Sequence, residues 1–577
     1  MKRLSTAGQV AAKHERSRGG GPSGSSNADL PRHDAADNGT AKSNPPLYGG
    51  PALLLFPAHH VRLEDIADVA LNNRRVELSS IAVEFMKQGR ARLEAKLAAN
   101  DVVYGVNTGF GGNSHCIIPA SQLDEHQQNL LTFLSAGTGD RLAFEYVRAA
   151  QLLTVLALVR GWSAVRPDVA SSLVDYLNHG IVPHVPRYGS VGASGDLIPL
   201  SYIANALCGI GTVHYAGQTL PAAKALELAG LEPLTVRAKE GIALVNGTRV
   251  MTAIAAITVL RFTTTLRAAL GALALTVEAL QASRDHYDER LHRAKDHPGQ
   301  IMVAAALRAV LIDRTRVAQE ASDAAQAANA SERVSHTSEG AQEVYSIRCA
   351  PQILGPVVES LQAARLVLER EAVSANDNPL IDPSTGDALN GGNFMGQHVA
   401  RTMDGLKIDI AVTANHLHSV MALLMDSRFS RGLPNSLSSE VGLYQGFKGV
   451  QLSQTALVAQ LRRDSAPSCV HSLPTEQFNQ DVVSLGLHAA LSAAEMETKL
   501  RDVVAMTLLA AAQAIDLRAS ADHLAPGAAA LQRSIRAVSK PLGKDRRLDA
   551  DIASLSALIL DGKLPSPDLE SEDTRGR

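Results

Sequence analysis

Apolar residues recur at helical spacing through most of this chain. Val357, Leu361, Ala364 and Leu368 fall on one stripe, and Pro356 stands where a first-turn proline belongs, which predicts a helix starting there. Residues 143–160 and 252–280 are rich in Ala, Leu and Val, and 485–518 carry Leu, Ala, Met and charges with hardly a turn former. Helices that are apolar nearly all round belong inside a bundle or between subunits. Strand-like alternation is weak and short, and no solenoid-type repeat is present. Glycine and asparagine collect in four stretches that read as loops: Tyr104–Gly112, Gly189–Gly195, Glu240–Gly247 and Asn376–Gly396. Loops held on a rigid helical frame are where chemistry is usually placed. The expectation is a mainly α protein.

At 577 residues the chain exceeds one minimal core. Residues 1 to about 47 include the flexible-linker stretch Gly19–Ser26 and are expected to be disordered, with order beginning near Leu53–Phe56. The expected division is a loop-rich N-terminal domain over 48–250, a long-helix domain over 251–562, and a loose polar tail over 563–577. The 55 basic and 58 acidic residues nearly cancel, so no strongly basic face is demanded and nucleic acid is not an expected partner. Cys116, Cys208, Cys349 and Cys469 lie far apart, with no CxxC pair and no Cys/His cluster. That argues against a disulfide framework or a zinc site and suggests buried free thiols in a reducing cytoplasm. Arg261 and Arg267 break the most apolar run, and no apolar segment follows Lys2 and Arg3, so neither a membrane span nor a secretory signal is expected. Nothing matches a strand-turn-helix dinucleotide fingerprint, so no nucleotide cofactor is expected.

The informative stretch is Gly189-Ser190-Val191-Gly192-Ala193-Ser194-Gly195-Asp196-Leu197-Ile198-Pro199-Leu200-Ser201. Its glycines permit a tight, unusual backbone. Asp196 can cap a following helix, Pro199 suits its first turn, and Gly209 can end it. Ala-Ser-Gly at such a place can undergo one specific reaction. If the Gly195 nitrogen attacks the Ala193 carbonyl carbon, a five-membered ring closes. Loss of one water from the ring and one from the Ser194 hydroxyl leaves 4-methylidene-imidazole-5-one (MIO), a strong electrophile. A helix end would stabilise charge on its ring oxygen. The tripeptide alone is common, and a capped turn of small residues would look the same. The longer string is far more specific.

That string resembles the signature of the aromatic amino acid lyase family, which includes histidine, phenylalanine and tyrosine ammonia-lyases and related aminomutases. The resemblance runs in order from about residue 53 to 530. It implies a long-helix bundle of the fumarase/aspartase-like lyase type with a smaller N-terminal domain bearing the MIO. It also implies a homotetramer whose active sites are shared between chains, with no metal. Tyr104, in Tyr104-Gly105-Val106-Asn107-Thr108-Gly109-Phe110-Gly111-Gly112, matches the family's catalytic base, and Phe110 and Gly111 match its substrate loop. A phenol can take the β-proton if its pKa is lowered, which a helix end and cationic neighbours would do. Asn246, before Gly247, matches the asparagine holding the ring or the substrate amine. In Gln342-Glu343-Val344-Tyr345-Ser346-Ile347-Arg348, Arg348 matches the arginine that binds the substrate carboxylate, and Gln342 and Tyr345 match further site residues. A guanidinium fits a carboxylate bidentately. Glu343 stands where the family usually has aspartate. Asn378 and Phe394 match pocket residues, and Glu476 and Gln480 match polar groups near the amine, with an i,i+4 spacing that suggests one helix face.

The family separates its substrates at a residue pair that matches Phe133-Leu134. Tyrosine-preferring members carry histidine at the first position, and histidine lyases typically have Ser-His. Phe-Leu offers no hydrogen bond and follows the phenylalanine pattern, as does Gly446-Phe447-Lys448-Gly449. The expectation is therefore an ammonia-lyase converting L-phenylalanine to trans-cinnamate. Tyrosine or histidine lyase activity and a 2,3-aminomutase are the near alternatives, and an inactive helical scaffold the distant one.

Overall fold

The runs rich in apolar residues become long helices: Arg249–Ala279 (31 residues), Ala350–Ala372 (23), Gln397–Met425 (29) and Gly486–Leu517 (32). The computed structural model describes residues 50–57, 60–312, 316–336 and 342–569, with backbone alone at 316–321. At about 1.5 Å per residue the last of these helices is roughly 48 Å long. It packs on both Arg249–Ala279 and Gln397–Met425, and Ala350–Ala372 packs on Gln397–Met425 and on Pro298–Arg308. Alanine is the commonest buried residue of the four long helices, as at Ala253, Ala255, Ala256, Ala510, Ala511 and Ala512. Small side chains let helix axes approach to about 8 Å. By length and composition, Arg249–Ala279 and Gln397–Met425 could each cross a membrane. In this fold most residues of both are buried against other helices. The charges interrupting these runs find partners: Arg261 pairs with Glu145 at 2.8 Å, and Glu497 accepts from Thr265 at 2.7 Å and pairs with Arg501 at 3.1 Å.

Strands are short, as the weak alternation predicts. Leu53–Leu55 pairs in parallel with Val76–Leu78, and Val182–Pro183, Thr212–Tyr215 and Gln218–Pro221 form an antiparallel trio. The ribbon that matters for the site joins Thr138–Arg141 to Pro186–Tyr188. It ties the chain just after Phe133-Leu134 to the chain just before Gly189–Gly195. One apolar cluster extends from Leu53 to Leu564, and the described residues fall in one compact unit.

Several local expectations are corrected. Pro356 lies inside its helix, which starts at Ala350 with Pro351 in the first turn. Burial of Leu354, Val357, Val358 and Leu361 carries the helix through a proline that costs about 3 kcal/mol. Glu240–Gly247 is largely helical, over Glu240–Val245, and Asn376–Gly396 contains the hairpin Leu380–Ile381 with Ala388–Leu389. The start of the expected tail is anchored: Leu564 is buried, and the Pro567 carbonyl accepts from Arg267 Nε at 3.3 Å. The stretch expected to be disordered, 1 to about 47, and the tail beyond 569 lie outside the described residues.

Candidate active site

The Gly189–Gly195 loop leads into the helix Leu197–Leu207, with Pro199 in its first turn and Gly209 just beyond its end, as expected. Asp196, however, makes no capping bond to that helix. Its carboxylate turns to the start of the Arg249–Ala279 helix, accepting from Met251 N–H at 2.7 Å, and takes a second bond from Ser190 Oγ at 3.2 Å. Complete burial pushes this carboxyl up to about 7, against the pull of those donors.

Two glycines meet at the tripeptide. Gly195 has φ +72°, and a Cβ there would overlap the Gly247 carbonyl, so glycine is required both for the backbone and for the contact. Asp196 N–H donates to that carbonyl at 2.7 Å. Gly247 N–H returns a bond to the Ser194 carbonyl at 3.3 Å, and Asn246 Nδ2 donates to the same oxygen at 2.9 Å. Ser194 oxygen thus has two donors from the segment entering the Arg249–Ala279 helix, rather than the end of the helix that follows Ser194. The Ser194 hydroxyl accepts from Gln480 Nε2 at 3.2 Å, and Ser190 Oγ donates to the Gly195 carbonyl at 3.2 Å. Asn246 Oδ1 is buried without a hydrogen-bond partner.

These groups open onto a cavity of 990 Å³. Of the residues singled out in the sequence, Tyr104, Phe110, Gly111, Phe133, Leu134, Ala193, Ser194, Gly195, Asn246, Asn378, Phe394, Glu476 and Gln480 lie on its wall. Gln342, Tyr345 and Arg348 do not, nor does Glu343. Their short helix, Tyr345–Arg348, is pinned elsewhere in the bundle, with Tyr287 Oη donating to the Ile347 carbonyl at 2.8 Å. Arg348 lies over the Tyr345 ring at 4.6 Å and donates to the Glu343 carbonyl at 2.8 Å. The Glu343 carboxylate pairs with Arg431 at 2.7 Å, so the departure from aspartate is satisfied away from Arg348. Tyr345 is 68% exposed.

A family model for aromatic amino acid lyases matches residues 61–537. The chain belongs to the aromatic amino acid lyase family. It is 51% identical to a hal-like protein of Dictyostelium discoideum, over 88% of this chain and 96% of that one. It is 39% identical to the histidine ammonia-lyase of Gloeobacter violaceus, over 89% and 96%. Among solved structures it resembles a tyrosine aminomutase from Streptomyces globisporus, with TM-score 0.84, 33% identity and coverage of 89% and 97%. It is an enzyme of the carbon–nitrogen lyase class with the mainly helical fold of that family.

In this lyase the electrostatics of the cavity differ from the sequence-based expectation. Burial raises the Tyr104 phenol above its ordinary value, Glu476 raises it further, and the Gly111 N–H, donating to Tyr104 Oη at 2.8 Å, offsets this in part. The expected cationic neighbours are not on the wall: among the described residues it carries two carboxylates, Glu476 and Asp481, and no lysine or arginine. Glu476 and Gln480 do not share a helix face. They sit in a tight loop, with positive φ at Glu476, Gln477 and Phe478, closed by Thr475 N–H on the Gln480 carbonyl at 2.9 Å. The structure adds His126 and Leu130, which join Phe133 and Leu134 on one side of the helix Leu123–Phe133. Their spacing of four, seven and eight residues is the helical signal that could have found them. The His126 ring stacks on Phe110 at 4.2 Å, and its Nε2 meets the Thr108 carbonyl at 3.0 Å. Buried thiols were expected, but Cys116 is exposed on the cavity wall and the other three cysteines are half-buried.

Proposed function

We propose that this lyase removes ammonia from an aromatic L-amino acid, L-phenylalanine in preference to tyrosine or histidine, with an MIO group built from Ala193, Ser194 and Gly195. The observation that carries the reading is the Ser194 carbonyl, bonded by Asn246 Nδ2 and Gly247 N–H in a backbone that only glycine at 195 allows. Ring closure would leave that oxygen as the ring's carbonyl oxygen, already provided with the donors an electron-poor ring requires. Once formed, the ring supplies the electrophile that makes the substrate amine a leaving group. Tyr104 Oη stands across the same cavity; as the phenolate, held by Gly111 N–H, it would take the β-proton and become the neutral phenol. Glu476 and Gln480 border the region where an amine would sit.

An amino acid also brings a carboxylate, which the described wall gives no lysine or arginine to meet. We read this as a site completed in a homotetramer, where Arg348 of a neighbouring copy enters and brings the positive charge that would also lower the Tyr104 phenol. Mixing an inactive Ser194→Ala chain with an inactive Arg348→Ala chain should then restore part of the activity. An active monomer in sedimentation would refute the shared site.

Phe133 and Leu134 support phenylalanine, because a phenolic hydroxyl or an imidazole against this apolar wall would lose hydrogen bonds. Phe133 is 62% exposed in the single chain, which argues against its being a core residue. The test is product analysis with each amino acid, for wild type and Phe133→His. Wild type should release trans-cinnamate from phenylalanine, less efficiently coumarate from tyrosine, and little from histidine. The substitution should raise the tyrosine-to-phenylalanine ratio of kcat/KM, and an unchanged ratio removes Phe133 from the substrate ring. The likeness to an aminomutase structure gives the second reading, for which the product would be a β-amino acid.

A further inference from the structure

Arg249 violates three local rules at once. It is a cation at the first position of a 31-residue helix, whose N-terminal end favours anions. Its side chain is fully buried, where an isolated charge is costly. Its Nε is buried without a hydrogen-bond partner. Breaches of this kind concentrate where function demands them.

The guanidinium folds back on the preceding helix. Nη1 and Nη2 each donate to the Ala243 carbonyl at 3.0 Å, and Nη2 also donates to the Asn246 carbonyl. These oxygens close the Glu240–Val245 helix at the end where a cation is favourable. The same side chain packs on the next residue: a Cβ on Gly247 would lie 2.7 Å from Arg249 Nη2. Both donors to the Ser194 oxygen are thus held from behind by one fork. Burial lowers the guanidinium to about 10, against the pull of two acids, so it stays charged near neutral pH. Asp196 and Asp377 both act on it, and Asp377 is itself fixed by Lys239 at 2.5 Å and Ser163 at 2.9 Å. Asp196 reaches the same helix start through Met251 N–H, so the residue after the tripeptide and the backing of its donors share one buried cluster.

We propose that Arg249 is a positioning residue that locks Asn246-Gly247 so that Asn246 Nδ2 and Gly247 N–H stay on the Ser194 carbonyl oxygen and tune its electron density. This rests on the MIO reading given above. A residue of purely structural importance would change melting temperature and the yield of active protein. A residue that places these donors changes the ring carbonyl itself.

The experiment uses full-length Arg249→Met, Arg249→Gln and Arg249→Lys. Intact mass reports whether two waters have been lost. The ultraviolet difference spectrum against Ser194→Ala reports the electronic state of the conjugated ring. Turnover of the wild-type substrate is normalised to ring-bearing sites. The expected result is ring formation in all three variants and a shifted difference band for methionine and glutamine. Their kcat should fall by about tenfold or more, since removing an oxyanion donor outright costs roughly 10²–10³, while KM changes by less than about threefold. Lysine should recover part of kcat, because its charge remains but one nitrogen cannot serve both carbonyls. Lysine, the mildest change, carries the test if the uncharged variants do not fold. An unmoved band with wild-type turnover per ring-bearing site overturns the proposal, whatever happens to melting temperature. A folded variant with the full encoded mass also overturns it, placing Arg249 in ring formation instead. A wild type with the full encoded mass would sink the MIO reading itself, a separate result.

Discussion

Replacing Tyr104 by phenylalanine removes one oxygen and leaves the ring that packs against the core. The structural loss is one hydrogen bond, Gly111 N–H to Tyr104 Oη at 2.8 Å. Such a bond contributes about 1 kcal/mol net to stability, and water reaching the partly open cavity would take over the freed N–H. The chemical loss is larger. A positioned general base is worth roughly 10²–10⁴ in rate, or about 2.7–5.5 kcal/mol of barrier. The two magnitudes separate the readings: Tyr104→Phe should melt within a few degrees of wild type, show the same two-water deficit from its own encoded mass, and lose at least about 10² in kcat. The assay is steady-state turnover at saturating substrate, beside a thermal melt and a mass measurement on the same preparation. Since the phenolate is the active form and burial with Glu476 lifts the phenol above its ordinary value, the wild-type rate should climb with pH on its acidic side. Turnover near the wild-type rate in the variant, or the same pH limb in both proteins, would refute the assignment of Tyr104 as base.

Two further substitutions test neighbouring parts of the site. Glu476→Gln removes a charge that raises the Tyr104 phenol, so the acidic limb of kcat/KM against pH should move to lower pH even if the maximum rate falls; a limb that stays in place would mean Glu476 does not act on Tyr104. Gly195→Ala places a Cβ on a φ of +72° and into the Gly247 carbonyl, costing about 1 kcal/mol in backbone strain before the overlap is counted, and should leave the protein at its full encoded mass on a mass spectrum.

The long helices were legible because their signal is local: apolar residues recurring at helical spacing over twenty to thirty residues point to one kind of element. The tripeptide, Tyr104 and the Phe133-Leu134 pair were legible as motifs, and the structure gathers all of them on one cavity. What failed was direction. Asp196 has the residue type and position of a cap, but which helix it caps depends on how 196 and 251 come together in space. Glu476 and Gln480 have helical spacing, but three consecutive residues with positive φ put them in a loop, and spacing carries no information about φ. Tyr104 was given cationic neighbours, whereas the single chain surrounds the phenol with burial and a carboxylate. Arg249 gave no signal at all, because an arginine after Asn-Gly-Thr reads as an ordinary exposed helix start until the backbone carbonyls it serves are seen.

The stripe His126, Leu130, Phe133 and Leu134 lies along an eleven-residue helix and the residue that ends it, while the donors to Ser194 come from a different segment more than a hundred residues later. If that stripe recognises the substrate as proposed, selection can rewrite recognition through a handful of codons without touching the proposed reactive centre. On the proposed reading of the site, a lineage built this way should diversify at the helix Leu123–Phe133 and stand still around the tripeptide. Relatives as unlike as a histidine ammonia-lyase and a tyrosine aminomutase can then share one scaffold, and one short helix becomes the natural place to begin a directed change of diet in this enzyme.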